Sequence, residues 1–95
     1  DGPSAGCAIT AAILSAVEKI PLRQDYAVTG EVSLSGEVKP VGGVAEKAFG
    51  ARQAGLKGIL LPEENRKDLD ETMQGLEIIP VKTMKDVLDR MLVRD

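Results

Sequence analysis

Two side chains in this sequence have the chemistry of a proton-transfer pair, and neither is histidine. Ser4 stands in Asp1-Gly2-Pro3-Ser4-Ala5-Gly6, where small neighbours leave its hydroxyl uncovered and Pro3 fixes φ just before it. An apolar run of helical period follows, so Ser4 falls at a helix N-terminus, whose free backbone N–H groups stabilise a developing negative charge. A serine that merely caps a helix is the plainer reading of the same six residues. Lys47 is the second candidate. Its helical neighbours at i±3 and i±4 are Gly43, Val44, Gly50 and Ala51, small or apolar rather than charged. That setting suits a partly desolvated amine able to accept a proton. A lysine whose stem packs while its head reaches water is the competing reading. Thr29, a hydroxyl beside Gly30, could hold the amine in line with Ser4, or could be simply a β-branched strand former.

Magnitudes set what such a pair requires. A lysine acts as a base near neutral pH only if its pKa falls from ~10.4 to about 7–8, which costs the charged form about 4 kcal/mol. A helix N-terminus supplies only ~0.3–1 kcal/mol of that. Burial against apolar surface must supply the rest. The expectation is therefore an enclosed Lys47, with neither Glu31 nor Glu46 ion-paired to it.

Composition narrows the field by what it lacks. The 95 residues include no histidine, so Ser-His-Asp and Cys-His catalysis are excluded within this chain. One cysteine and no histidine argue against a zinc site, and Cys7, in an apolar helix, reads as a buried structural thiol. Neither G-x-x-x-x-G-K-[ST] nor G-x-G-x-x-G occurs, so no nucleotide cradle is encoded. The net charge of −3 with interspersed signs argues against nucleic acid as the main partner, and no apolar run approaches a membrane span. The length corresponds to one small domain. Tyr26 and Phe49 are the only aromatics, so aliphatic side chains must fill its core.

The elements that must position these groups follow in order. A helix is expected from Ser4 to about Lys19, with Ile9, Ile13, Ala16, Val17 and Ile20 as its buried face and Pro21 as its stop. Tyr26 to Pro40 reads as a β-hairpin turning at Ser35-Gly36, with Gly30 marking a bulge or a close approach to the backbone. A second helix runs from about Val44 to Ala54 and closes on Gly55. Gly58 to Leu61 is a buried strand stopped by Pro62, Glu63 to about Thr72 a short exposed helix or turn, and Leu76 to Val81 another strand. Thr83 caps a final helix with Asp86 three residues on, and Met84, Val87, Leu88, Met91 and Leu92 form its stripe. Helix and strand alternate, which gives an α/β fold.

These residues resemble a known family. Asp1 to Gly6 is similar to the serine motif of the proteolytic domain of Lon, the ATP-dependent protease. Thr29-Gly30-Glu31 through Gly36-Glu37-Val38-Lys39-Pro40-Val41-Gly42-Gly43-Val44-Ala45-Glu46-Lys47 is similar to its lysine motif, with Lys39 and Ala45 as small variations. Ala54-Gly55-Leu56-Lys57, Leu61-Pro62-Glu63-Glu64-Asn65-Arg66-Lys67-Asp68 and Gly75-Leu76-Glu77 resemble its downstream signatures. The resemblance implies a Ser-Lys dyad, with Ser4 as nucleophile, Lys47 as general base and Thr29 supporting the lysine. Asp1 would be a salt-bridge partner that holds Lys47 charged in an idle arrangement. It also implies the α/β (α+β) fold of the Lon proteolytic domain, related to the second domain of ribosomal protein S5, with residues 1–95 as its C-terminal part. Implied as well are a cytoplasmic homohexamer, unfolded protein substrates, and a separate ATPase domain that uses ATP and Mg. The family's upstream strands would line the substrate groove and complete a sheet, so the 95 residues alone are expected to be inactive or poorly folded. The alternative is a non-catalytic Lon-like domain serving as an assembly or nucleic-acid platform. Such domains share the patterns at Gly30 and Gly36 but lack the serine and lysine together.

Overall fold

The computed structural model describes residues 6–69 and 74–93. Its spine is a three-stranded parallel sheet of β1 (Tyr26–Val28), β4 (Gly58–Pro62) and β5 (Glu77–Val81), in the order β1-β4-β5. A two-stranded antiparallel sheet joins β2 (Glu31–Val32) to β3 (Val38–Lys39). Helices α1 (Gly6–Glu18), α2 (Val44–Gln53) and α3 (Met84–Met91) complete the molecule, with a 3₁₀ helix over Glu63–Asp68. This is the expected α/β fold.

The central strand explains the layering. Every residue of β4 is buried, as a strand covered on both faces must be. Leu60 turns to one face, where it packs with Cys7 and Ala11 of α1 and with Met84, Val87 and Met91 of α3. Ile59 and Leu61 turn to the other, against Val44, Ala48 and Ala51 of α2. Alternation along one strand therefore places α1 and α3 on one side and α2 on the other.

Two expectations need correction. Tyr26 to Pro40 is not one hairpin: Tyr26–Val28 pairs in parallel with Gly58–Leu60, and only β2 and β3 form the hairpin. Gly30, at φ +142°, separates the two sheets. The chain approaches closely there, since a Cβ at Gly30 would lie 3.0 Å from Val38 Cγ1 and 3.2 Å from Cys7 Sγ. The second correction concerns α1. Its buried face is Cys7 and Ala11, while Ile9, Ile13 and Val17 are 56%, 57% and 68% exposed. The cause is close packing at the helix start, where a Cβ on Gly6 would sit 3.4 Å from the Val32 nitrogen. Only the small side of α1 fits that approach, and the branched side faces away.

The sheet edges differ. The Glu77 N–H bonds toward β4 through the Lys57 carbonyl, so Ile78 and Pro80 direct their backbone outward. Pro80 has no N–H to offer there, and beyond it the hairpin closes the edge through a bond from the Val38 N–H to the Lys82 carbonyl. On β1, Asp25 and Thr29 bond toward β4. The amide groups of Tyr26 and Val28 thus face the other way, with no strand beside them among the described residues. Among those residues no helix is long and apolar enough to cross a membrane.

Candidate active site

All three helices begin at the carboxyl ends of the parallel strands. The Cys7 N–H of α1 donates to the Gly30 carbonyl, two residues past β1, at 3.0 Å. Helix α3 starts just after β5, where the Met84 N–H reaches the Gly36 carbonyl at 2.8 Å. Helix α2 starts beside the exit of β4. Asn65, in the 3₁₀ helix that follows β4, accepts from the Val41 N–H at 2.9 Å and donates to the Val41 carbonyl at 2.8 Å. In open α/β sheets this edge is where ligands bind.

Thr29 and Gly30 lie between the two helices that matter. Thr29 follows Ala27, which packs with the α2 layer, and strand alternation puts both on that face. Gly30, the next residue, holds the start of α1. Thr29 is 1% exposed, and its hydroxyl finds no hydrogen-bond partner among the described residues. Its backbone is anchored, the N–H donating to the Leu60 carbonyl at 2.9 Å. A buried hydroxyl without a partner costs about 1–3 kcal/mol, so the group points to a polar atom outside the described residues.

Lys47 lies in the first turn of α2, with its N–H on the Gly43 carbonyl at 3.1 Å. The helix buries Val44, Ala48 and Ala51, so Lys47 stands beside the buried stripe and is exposed. The expected enclosure is therefore not supplied by these residues, because burial depends on what covers a helix as well as on its own neighbours. Among the described residues neither Glu31 nor Glu46 forms an ion pair with Lys47. Ser4 and Asp1 lie outside the described residues, Ser4 two positions before α1. Cys7 is fully buried, and burial pushes its thiol above the ordinary range, which makes it a packing residue.

Asn65 was not legible in the sequence. It sits in a charged run read as exposed, yet it is 4% exposed with its amide fully engaged, the remaining donor going to Asp68 Oδ2 at 2.7 Å. A lone Asn in Glu-Glu-Asn-Arg-Lys-Asp carries no periodic signal of burial.

Helix starts gathered on the carboxyl edge of a parallel sheet, around a buried hydroxyl unpaired among the described residues, define an α/β domain with a candidate site at that edge. Comparison specifies it further. The sequence model of the Lon protease (S16) C-terminal proteolytic domain matches residues 1–94, and the chain belongs to that family. It is 50% identical over 93 residues to Lon protease 2 of Bacillus subtilis (strain 168), covering 98% of this chain and 17% of that protein. It is 47% identical over 92 residues to Lon protease of Trichlorobacter lovleyi, covering 93% of this chain and 11% of that protein. To Lon protease of Azospirillum brasilense it is 50% identical over 99 residues, covering 100% of this chain and 12% of that protein. The chain thus spans between 11% and 17% of the length of these relatives.

Proposed function

We propose that these residues form the catalytic C-terminal part of a Lon-type proteolytic domain that hydrolyses peptide bonds with a Ser-Lys dyad. The observation that carries this reading is the orphaned, buried Thr29 hydroxyl between the starts of the two helices that follow Ser4 and bear Lys47. With no histidine in the chain, the lysine amine is the base that could reach both hydroxyls. Neutral Lys47 takes the Ser4 proton as the serine oxygen attacks the peptide carbonyl, forming the acyl-enzyme. Backbone N–H groups at the start of α1 hold the oxyanion, each such donor being worth about 3–4 kcal/mol in serine hydrolases. The protonated amine returns its proton to the leaving nitrogen, and water repeats the cycle. Thr29 accepts or donates one hydrogen bond to the amine and so fixes its direction.

In this reading the apolar cover of the exposed Lys47 comes from chain outside these residues. Two surfaces support such a complement. The Ile9, Ile13 and Val17 stripe is exposed, and β1 has no strand on its outer edge among the described residues, while β5 is blunted by Pro80. We assign both to the upstream part of the same proteolytic domain, which the greater length of the relatives accommodates. ATP and magnesium belong in this reading to a separate ATPase domain, unfolded proteins are the substrates, and the assembly is a cytoplasmic homohexamer.

Two experiments test the reading. In the complete protein, Ser4→Ala and Lys47→Gln should each abolish peptide hydrolysis with the fold intact; substantial turnover in either contradicts the dyad. Ile13→Glu should change the stability of the 95-residue chain by less than about 0.5 kcal/mol, as at an exposed site, yet destabilise the complete protein by several times that. Equal effects in both would remove the upstream segment from this face.

A further inference from the structure

We infer that Asn65 is a positioning residue for proton transfer, setting the direction of Lys47 by fixing where α2 begins. The inference rests on the Ser-Lys reading. Helix α2 has an unusual start: its N-cap is Gly43 at φ +72°, with no side-chain cap, preceded by Gly42. Two glycines leave the backbone there the widest conformational freedom. Lys47 is in the first turn of that helix, so any swing of Val41-Gly42-Gly43 moves the amine at the end of its long stem.

The Asn65 side chain restricts that freedom. The Asn65 amide takes both backbone groups of Val41, copying one rung of an antiparallel ladder across 24 positions of chain. Asp68 Oδ2 accepts the second amide proton and so fixes which way the amide faces. The anchor is rigid because Asn65 is three residues beyond Pro62, the last residue of a strand buried along its whole length. Buried strand, 3₁₀ helix, amide, Val41, Gly43 and Lys47 form one mechanical sequence. A buried amide serving stability alone would equally well pair within its own turn. This one bridges a fully buried strand to a joint of two glycines, one helical turn ahead of the proposed base.

The test uses the complete protein and a fluorophosphonate probe that labels Ser4, alongside peptide hydrolysis. Asn65→Ala should lower kcat by about ten- to hundredfold, the range expected for a group displaced by about 1 Å, with KM changed less than twofold. Probe labelling should slow by the same factor. In the Lys47→Gln background the Asn65 substitution should slow residual labelling no further, because there is no amine left to direct. Thr83→Ala, which weakens the fold at the α3 cap without touching this joint, should leave kcat within twofold. If Asn65→Ala fails to fold, the near-isosteric Asn65→Asp in an Asp68→Asn background replaces it. That pair keeps the contacts to the Val41 N–H and to residue 68 but turns a carboxylate oxygen onto the Val41 carbonyl, and it should still lower kcat. Unchanged kcat, or equal slowing in the presence and absence of Lys47, overturns the inference. Full activity of Lys47→Gln alone would instead bring down the dyad itself.

Discussion

Replacing Thr29 by valine asks one question with opposite answers in two settings. Valine keeps the shape and β-branching of threonine and removes only the hydroxyl. In the 95-residue chain that hydroxyl is buried and unpaired among the described residues, so its removal relieves a desolvation penalty of about 1–3 kcal/mol. The backbone bond from Thr29 to Leu60 does not depend on the side chain and persists. Stability should rise by about 1–2 kcal/mol, and for a chain of this size each kcal/mol moves the melting midpoint by about 4–8 °C. In the complete protein the same substitution would delete a hydrogen bond to the neutral lysine amine, worth about 0.5–1.5 kcal/mol, and leave the amine undirected. There stability should fall and peptide hydrolysis drop at least tenfold. Melts followed by circular dichroism and a peptide-hydrolysis assay read both arms. A lower melting midpoint for Thr29→Val in the 95-residue chain would show the hydroxyl to be satisfied. Unchanged hydrolysis in the complete protein would remove Thr29 from the site.

The remaining expectations concern the frame around that hydroxyl. Gly30→Ala should destabilise the chain by roughly 2–4 kcal/mol, since it forces a side chain onto φ +142° and into contacts of 3.0 to 3.2 Å; an unchanged urea midpoint would contradict the crowding. Thr83→Ala should cost about 0.5–2 kcal/mol at neutral pH by removing one half of the α3 capping box. The other half is sensitive to pH. The Lys82 N–H, and secondarily that of Thr83, hold the Asp86 carboxyl below the ordinary aspartate range. Because the folded value is the lower one, this stabilisation is complete above the unfolded value of ~3.9 and is lost as pH falls through the folded value. The gap in stability between the parent and Asp86→Asn should therefore close in strong acid, and a gap independent of pH would refute the assignment.

What could be read from the sequence depended on whether burial was one-sided. In α3 the apolar positions Met84, Val87 and Met91 form a single stripe with polar residues opposite, and the structure buries that stripe. In β4 every position is apolar, and both faces are covered. Helix α1 failed because it is apolar all round. Periodicity selected the bulky Ile9, Ile13 and Val17 row, whereas close approach to β2 selected the small Cys7 and Ala11 row. The parallel partner of Tyr26–Val28 lies beyond an intervening hairpin and helix, and adjacency in sequence favoured the wrong pairing. At the candidate site, Thr29 and Lys47 stood out by residue type and spacing, but the exposure of Lys47 did not, because exposure belongs to whatever lies over a helix. Asn65 gave no local sign at all.

The placement of α1 and α2 on opposite faces of the sheet constrains any account of how a serine before one could meet a lysine on the other. Two side chains on opposite layers cannot meet through a buried strand such as β4, so they can meet only around the sheet's end, past Thr29 and Gly30. That end is held from both sides, by Cys7 on the Gly30 carbonyl and by Leu60 beneath the Thr29 N–H. Such a pivot fixes the start of α1, while α2 has no side-chain cap of its own and is held by the packing of Val44 and Ala48 and by Asn65 on Val41. Of the two proposed partners, the lysine is therefore the one whose direction depends on a side-chain contact from another element. If its cover also comes from outside these residues, as proposed, the site would become competent only when the rest of the domain closes over the sheet's end. That condition is useful for a protease that must not cut peptides while incompletely assembled.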